Sequence, residues 1–320
     1  MECPDCKMDR RQFLKSTAAI TSLPTAALAV PKTGTPSETL TGTLYKSLTE
    51  EQKKVICRPF EDELRSKVDN NWFITPARVG KFFTPDQQAM VREIFQGLYN
   101  PDFYGNVSRQ IEEDAKGLGN YSVALFGEPG SGKFEFVLTG RHCTVRCDGD
   151  SVEGVAFGGP IFYGHQSGPS GTEKPDHPGN VYWYQAKRAN EVFQSLNGKQ
   201  RELAIVSQPP RPERATETIS LKSRTQKLDG LPVSEMSKDQ RVLVEKVLAD
   251  LLLPYRKKDV DESMKLIKAN GGVAALSMAF FKTEDLGNDG VWDTWQLESP
   301  RMLWYFRGSP HVHTWVHIRR

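Results

Sequence analysis

Hydrophobic residues recur at helical spacing in several parts of the chain, and four of these segments begin with the same signal. A small polar residue is followed three positions later by Gln, which is the capping-box pattern of a helix N-terminus. It occurs at residues 49–52, 84–87, 197–200 and 237–240. After the last of these positions the spacing predicts one apolar helix face, formed by Val242, Leu243, Val247, Leu248, Leu251 and Leu252.

Alternation of apolar and polar residues predicts strands in the middle of the chain and near its C-terminal end. The predicted strands are residues 121–126, 134–147, 152–157, 274–282, 302–307 and 311–318. Because helical segments flank and separate the strand groups, the expected fold class is α+β with a mainly antiparallel sheet. Strands from the two ends can join into one sheet, so residues 47–320 are expected to form a single domain, with a two-domain arrangement as the alternative. Residues 30–46 are rich in Pro, Thr, Ser and Gly, which is typical of a linker.

The N-terminal segment resembles a twin-arginine export signal. The residues that carry the resemblance are Arg10, Arg11, Phe13, Leu14 and Lys15. A weakly apolar stretch over residues 16–28 follows, and residues 27–29 form a small-x-small cleavage site. We therefore expect residues 1–29 to be a signal peptide and the twin-arginine translocase to be a partner. The mature protein is expected in the periplasm or outside the cell, or anchored by an uncleaved signal.

Composition excludes several classes of function. The 42 Lys and Arg residues nearly balance the 40 Asp and Glu residues, whereas nucleic-acid-binding domains usually carry a basic excess. No nucleic-acid partner is therefore expected. After the signal, no stretch approaches the roughly 18 apolar residues that a membrane-spanning helix needs, so no integral membrane domain is expected.

Residues 127–133 read Gly-Glu-Pro-Gly-Ser-Gly-Lys and match most of a phosphate-binding P-loop. The next residue in that motif should be a Ser or Thr that opens a helix, but it is Phe134, which begins an alternating segment. The segment is therefore predicted to be a hairpin turn, and no nucleotide cofactor is expected.

The histidines suggest a metal site. His311 and His313 are two residues apart in a predicted strand, so their side chains should lie on one face roughly 6.8 Å apart and could chelate one metal ion. His142, His165 and His177 are the candidate further ligands, with Cys143, Glu128 and Asp176 as alternatives. The expected ligand set is His311, His313, His142 and His165, and the expected metal is zinc, copper or iron. The competing interpretation is that these histidines are structural or lie on the surface.

Several segments together resemble a bacterial family known as domain of unknown function 3500. They are residues 123–130, 138–142, 160–164, the helix start at 237–240, and residues 304–313. The resemblance covers roughly residues 45–320. Members of the family commonly have Gly-His-His where this chain has Gly140, Arg141, His142 and Cys143. The resemblance implies one exported domain, and it implies no substrate or activity.

Three functions compete. The first is a metal-dependent periplasmic enzyme, hydrolytic with zinc or redox-active with copper or iron, in which Arg141 either pairs with an anionic substrate or is a structural ion-pair partner. The second is a non-catalytic protein that binds an unknown small molecule or an envelope ligand in an aromatic-lined pocket. The third is a structural or assembly protein of the cell envelope. The candidate binding residues are Arg141, His177, Tyr163 and Trp183.

Overall fold

Helices pack against a large sheet in this protein. The structure, a computed structural model, describes residues 36–169, 171–285 and 289–320, so the predicted signal peptide lies outside the described residues. The helices in the described part are α1 (Ser37–Ser47), α2 (Glu50–Ile56), α3 (Val79–Phe82), α4 (Pro85–Gln96), α5 (Tyr104–Ala115), α6 (Trp183–Ser195), α7 (Gly198–Ala204), α8 (Lys238–Leu252) and α9 (Lys257–Ala269). None of the described helices is long and apolar enough to span a membrane.

One sheet contains all the strands of the described residues. They are β1 (Cys57–Arg58), β2 (Ser122–Gly127), β3 (Phe134–Gly140), β4 (Cys143–Cys147), β5 (Ile161–His165), β6 (Ile205–Val206), β7 (Leu231–Pro232), β8 (Ser277–Phe281), β9 (Thr294–Ser299), β10 (Met302–Arg307) and β11 (Val312–Ile318). Their order is β1-β2-β3-β4-β5-β11-β10-β9-β8-β6, with β7 paired to β8. Among the described strands, only the β1–β2 and β6–β8 pairs are parallel. The predicted α+β class with a mainly antiparallel sheet is confirmed.

The predicted helix starts are also confirmed. All four capping boxes form, at the beginnings of α2, α4, α7 and α8. The predicted apolar face of α8 is correct for Val247, Leu248, Leu251 and Leu252. It is wrong for Val242, which is 42% exposed, because the buried face begins at Val244 instead.

The two faces of the sheet are covered differently. Leu125, Phe136 and Trp304 face the helices and belong to the largest apolar core. On the opposite face, Phe126 and Val137 pack under residues 60–74, and Tyr305 and Trp315 pack with Ile219. This second face is therefore covered by two irregular segments, residues 59–78 and residues 207–222. The candidate site lies where these two segments meet.

Buried ion pairs hold the two irregular segments on the sheet. Arg146 Nη1 donates to Glu135 Oε1 at 2.8 Å, and Arg65 Nη1 donates to Glu135 Oε2 at 2.9 Å. Arg146 also donates to Lys67 O at 2.7 Å. Arg211 pairs with the buried carboxylate of Glu298 in the same way on the other segment.

The predicted continuous strand over residues 134–147 is wrong. The chain reverses at Arg141 and His142, so that β3 and β4 form an antiparallel hairpin in which Gly140 pairs with Cys143. A Cβ atom at Gly140 would lie 2.2 Å from Tyr121 Cδ1, and the Tyr121 hydroxyl donates to Arg141 O at 2.7 Å. The Tyr121 ring thus packs on Gly140 and ties down the turn, which the alternation of side chains does not reveal.

Of two further segments, one differs from its predicted structure and one agrees with it. The predicted return strand at residues 152–157 is wrong, because a 3₁₀ turn occupies Ala156–Gly158. Residues 127–133 form the predicted hairpin turn between β2 and β3, where the Glu128 amide donates to Lys133 O at 3.0 Å.

The prediction of a linker at residues 30–46 is wrong for the second half of this segment, which belongs to α1 and packs on α4. Leu40 and Leu44 are buried, and Ser37 Oγ donates to Ile94 O at 3.0 Å. The polar composition of the segment hides the helical spacing of these two leucines. The described residues all belong to one compact unit, Pro31–Arg320.

A candidate three-histidine metal centre

Three histidine side chains from two distant parts of the chain meet at one end of the sheet. His142 lies in the β3–β4 turn, His311 directly precedes β11, and His313 lies in β11. His311 Nε2 is 3.2 Å from His142 Nε2 and 3.1 Å from His313 Nε2. The three ligand nitrogens all lie within 4.8 Å of one another. We call these residues the three-histidine cluster.

The pairing of β5 with both β4 and β11 brings the cluster together. Gly164 of β5 pairs with His313, and its amide donates to His142 O at 3.2 Å. A Cβ atom at Gly164 would lie 2.4 Å from Val312 O and 3.3 Å from His313 Cδ2. A glycine at this position therefore lets β11 approach β5 closely enough to place the His313 ring beside the turn of His142.

The Nδ1 atoms of His311 and His313 point away from the cluster, toward acceptors. His311 Nδ1 donates to Gly171 O at 2.8 Å, and His313 Nδ1 donates to Glu213 Oε2 at 2.7 Å. A backbone carbonyl can only accept, so His311 must carry its proton on Nδ1. This tautomer leaves the Nε2 lone pair directed into the cluster.

Glu213 orients His313 as part of a network. Its carboxylate also accepts from Arg307 Nε at 2.5 Å and from Asn70 Nδ2 at 3.2 Å. Arg307 Nη2 lies against His313 Nδ1 as well, so the carboxylate is the common acceptor between two donors. Burial acts to raise the pKa of Glu213, but the hydrogen bond from His313 and the hydrogen bonds and charge of Arg307 outweigh burial and hold this pKa well below its usual range. Glu213 therefore stays ionised.

His142 has an acidic neighbour of its own. Its Nδ1 atom lies 2.9 Å from Asp114 Oδ1, although without the alignment of a full hydrogen bond. The Asp114 side chain is fully buried and also accepts from the Gln166 amide and from Gln110 Nε2, each at 3.1 Å. His142 adopts a left-handed backbone conformation, with φ of +55°. A non-glycine residue there is strained, and such strain concentrates at functional sites.

The protonation of the cluster explains what it can bind. Burial lowers the pKa of His311 to about 4 and that of His313 to about 3, so both rings are neutral near pH 7. With Nδ1 protonated on both rings, the Nε2 lone pairs of His311 and His313 are directed at each other across 3.1 Å. This arrangement is repulsive unless a cation lies between the nitrogens.

The spacing suits a transition metal. Two imidazole nitrogens bound to one tetrahedral zinc ion at 2.0–2.1 Å lie about 3.3 Å apart, close to the 3.1 and 3.2 Å seen here. Ligating histidines also commonly donate their other ring nitrogen to a carboxylate or a carbonyl. His142 and His313 are almost fully buried, whereas His311 is half-buried, so the cluster faces solvent on the His311 side.

Comparison with known proteins supports the resemblance found in the sequence. A family profile described as "Protein of unknown function (DUF3500)" matches residues 34–319. The chain belongs to the DUF3500 family. Searches of curated proteins and of solved structures give no match to this DUF3500 chain. Family membership therefore supplies no activity.

The DUF3500 fold does not bring His165 into the cluster. Its Nε2 atom is 2.7 Å from Glu113 Oε2, and its Nδ1 atom accepts from the Val181 amide at 3.1 Å. Both ring nitrogens are therefore engaged, and the side chain is fully buried. Because His165 is paired with Val312, its side chain has the opposite strand parity to Gly164 and His313.

His177 is also separate from the cluster. It lies between two buried carboxylates, with Nδ1 2.7 Å from Glu173 Oε2 and Nε2 3.0 Å from Asp293 Oδ1. The ring packs on Trp183 with centroids 4.0 Å apart. The Glu173 amide donates to Pro310 O at 2.8 Å, next to His311. His177 therefore holds a loop that supports the cluster.

The two predicted aromatic binding residues are part of the core. Tyr163 and Trp183 are at most 4% exposed. The Tyr163 hydroxyl donates to Gln185 Oε1 at 2.7 Å and accepts from Trp304 Nε1 at 3.2 Å. Cys143, an alternative ligand, faces the helix side of the sheet and belongs to the main apolar core.

Sequence reasoning missed the residues that orient the cluster. Asp114 and Glu213 lie on α5 and on an irregular segment, respectively, and neither carries a motif. Gly171 contributes only its carbonyl oxygen, to which any residue type is equivalent. The local sequence signals of the cluster were the His-x-His spacing and the histidine in the β3–β4 region.

Proposed function

We propose that this DUF3500 protein is a metal-dependent enzyme that binds one divalent transition-metal ion through the Nε2 atoms of His142, His311 and His313. The observation that carries the proposal is the convergence of three Nε2 atoms from rings whose Nδ1 atoms each lie within 2.9 Å of a carbonyl or carboxylate oxygen. Three histidine ligands leave further coordination positions for water or substrate, as in catalytic rather than structural zinc sites.

Hydrolysis is the reaction that the ligand set favours. Neutral imidazoles leave the full positive charge on the metal, which lowers the pKa of a bound water and polarises a substrate oxygen. The nearest carboxylates, Asp114 and Glu213, already accept several hydrogen bonds. A depressed pKa makes Glu213 a poor general base, so activation of water would rest on the metal ion. Zinc fits these requirements, whereas copper or iron bound at the site would indicate a redox reaction instead of hydrolysis.

The N-terminal residues indicate how the protein would leave the cytoplasm. We propose that the protein reaches the periplasm through the twin-arginine translocase, on the strength of Arg10, Arg11, Phe13, Leu14 and Lys15. That route carries folded proteins, so the metal would be inserted before export. Cell fractionation of the full chain and of an Arg10→Lys/Arg11→Lys variant tests this. Equal export of both would contradict it.

Elemental analysis of the mature protein, purified without chelator, tests the metal site. We expect close to one transition-metal ion per chain in the wild type and almost none in a His311→Ala/His313→Ala variant. The matched control is His317→Ala, because His317 is also in β11 but its Nδ1 atom donates to Ile219 O at 3.2 Å, outside the cluster. It should retain the metal.

Circular dichroism must show that all three proteins are folded. Metal-free wild-type protein that also fails to take up added Zn²⁺, Cu²⁺ or Fe²⁺ would overturn the proposal. Metal retained by the folded double variant would equally contradict the ligand assignment. If zinc is present, hydrolysis of ester, amide and phosphate substrates should be assayed with the wild type against the double variant.

A further inference from the structure

The turn that carries His142 also carries an arginine whose backbone is firmly held. Arg141 O accepts from the Tyr121 hydroxyl at 2.7 Å, and Arg141 forms a backbone bridge with Asn71. The His142 amide donates to Asn70 O at 2.9 Å. The position of the Arg141 Cα atom relative to the three-histidine cluster is thus set by the contacts that also position His142.

The guanidinium of Arg141 is close to the cluster but incompletely paired. Asp114 Oδ1 lies 2.9 Å from His142 Nδ1 and 4.0 Å from Arg141 Nε. Nη2 of Arg141 donates to the neutral amide oxygen of Gln166 at 2.5 Å. Nε is buried and has no hydrogen-bond partner, and among the described residues Nη1 has none either. The side chain is 40% exposed.

The other arginine beside the cluster, Arg307, is fully paired. Arg307 donates to Glu213 through Nε and Nη2 and to Ser309 O through Nη1, and its side chain is only 12% exposed. Its charge is satisfied by protein groups. Arg141, in contrast, has a side chain that is 40% exposed and a guanidinium whose donors are only partly engaged by protein groups.

The charges around a metal-loaded cluster would be unbalanced. A divalent ion with Arg141 and Arg307 carries four positive charges, against two from Asp114 and Glu213. A positive excess in a partly buried site attracts and orients anions. A guanidinium with free donors is also the side chain best suited to a planar carboxylate or a phosphate.

We infer that Arg141 is a substrate-binding residue and that the substrate carries a carboxylate or phosphate group, which the guanidinium holds beside the metal. This inference rests on the proposed function and names its substrate class. The oxyanion would bind the exposed Nη atoms of Arg141 while an adjoining part of the substrate reaches the metal. Gln166, which already bonds to Nη2, would keep the guanidinium plane oriented.

Anion binding to the cobalt-substituted protein tests the inference. Acetate and inorganic phosphate are titrated separately, followed by calorimetry and by the visible absorption of Co²⁺ at the site. We expect Arg141→Ala to weaken binding of the preferred anion about tenfold or more, as befits a lost charge-assisted hydrogen bond. The anion affinity of Arg141→Lys should fall between those of the wild type and Arg141→Ala, because lysine keeps the positive charge but lacks the planar, forked donors of the guanidinium group.

The matched control is Arg109→Ala. The Arg109 side chain is 43% exposed, similar to that of Arg141, but it already pairs with Glu113 at 3.7 Å and donates to Gly179 O. Its loss should leave anion affinity within about twofold of the wild type. The spectrum of the anion-free Co²⁺ protein should be the same in all variants, which shows that the metal ligands are undisturbed.

The outcomes separate the two proposals. Stoichiometric Co²⁺ with equal anion affinity in the wild type and Arg141→Ala, or with no anion binding at all, would overturn the role of Arg141 and leave the metal centre standing. Failure of the folded wild type to bind Co²⁺ would overturn the metal centre and this inference with it. The anion bound more tightly by the wild type, acetate or phosphate, identifies which group the substrate carries.

Discussion

Glu213 Oε2 lies 2.7 Å from Nδ1 of His313, although 100 residues separate them in the chain. Glu213 belongs to the irregular segment 207–222, and His313 belongs to the central strand β11. The contact fixes the ring orientation that directs His313 Nε2 into the three-histidine cluster. It also means that metal binding and the docking of this segment on the sheet should be coupled.

Glu213→Gln should therefore weaken metal binding while leaving all three ligands in place. Loss of a carboxylate behind a ligating histidine commonly costs 10–100-fold in metal affinity, and Arg307 would lose its ionic partner as well. Competition with a chelating dye for Zn²⁺ measures the change. Glu217→Gln, an exposed position on the same segment, is the control and should behave as the wild type. Unchanged affinity in Glu213→Gln would contradict the role given to this contact.

Gly164→Ala should damage both stability and the site. The new Cβ atom would lie 2.4 Å from Val312 O and 3.3 Å from His313 Cδ2, so β11 must shift. Overpacking of this kind costs about 1–3 kcal/mol in the free energy of unfolding. Denaturant unfolding and Zn²⁺ affinity should both decline.

Gly168→Ala is the matched control for Gly164→Ala, since a Cβ atom there would meet nothing within 4 Å. It should leave both the unfolding free energy and the Zn²⁺ affinity close to those of the wild type. If Gly164→Ala also behaved as the wild type, the close approach of β5 and β11 would not be needed for the site.

His177 should make the stability of the protein depend on pH. Burial acts to lower its pKa, but hydrogen bonds and charge from Asp293 and Glu173 outweigh burial and raise the pKa to about 9. Since this is above the unfolded value of about 6.5, the stabilisation is complete below pH 6.5 and is lost as pH rises through about 9. The wild type should lose up to about 3 kcal/mol of this contribution across that range.

The comparison with His177→Gln isolates this effect. The difference in unfolding free energy between the two proteins should be largest near pH 6.5 and should shrink toward pH 9 and above. Groups that titrate identically in both proteins cancel from the difference. A difference that stayed constant with pH would show that His177 is not charged in the folded protein.

Arg146→Met should destabilise the protein strongly, because it leaves the fully buried carboxylate of Glu135 with only Arg65 as an ionic partner. Breaking a buried pair from one side costs about 3 kcal/mol or more, whereas replacing both partners by apolar residues costs less. Glu135→Leu/Arg146→Met should therefore be more stable than Arg146→Met in urea unfolding. Arg58→Met, which loses a half-exposed ion pair with Asp62 at 3.4 Å, should change stability by less than about 1 kcal/mol. Equal effects of Arg146→Met and Arg58→Met would contradict the importance assigned to the buried pair.

Much of the local structure could be predicted because its causes are local. The capping boxes depend on a polar residue and a Gln three positions later, and all four formed. The hairpin at residues 127–133 followed from a Gly-rich turn between alternating segments. The turn at Arg141 and His142 was missed because its cause is the Tyr121 ring packed on Gly140, a contact between the residue that precedes β2 and the last residue of β3.

The candidate site likewise combines features that have local causes with features that depend on long-range contacts. The sequence by itself determined that His311 and His313 share a strand face, because the side-chain period of a strand is two. Only the tertiary structure decided that His142 joins them while His165 pairs with Glu113, since that choice depends on which strands become neighbours of β5. It also supplied Asp114 and Glu213 as the groups behind the histidines. Contacts between residues so far apart in the chain leave no periodic signal in the sequence, because they are set by strand order and by the packing of irregular segments on the sheet.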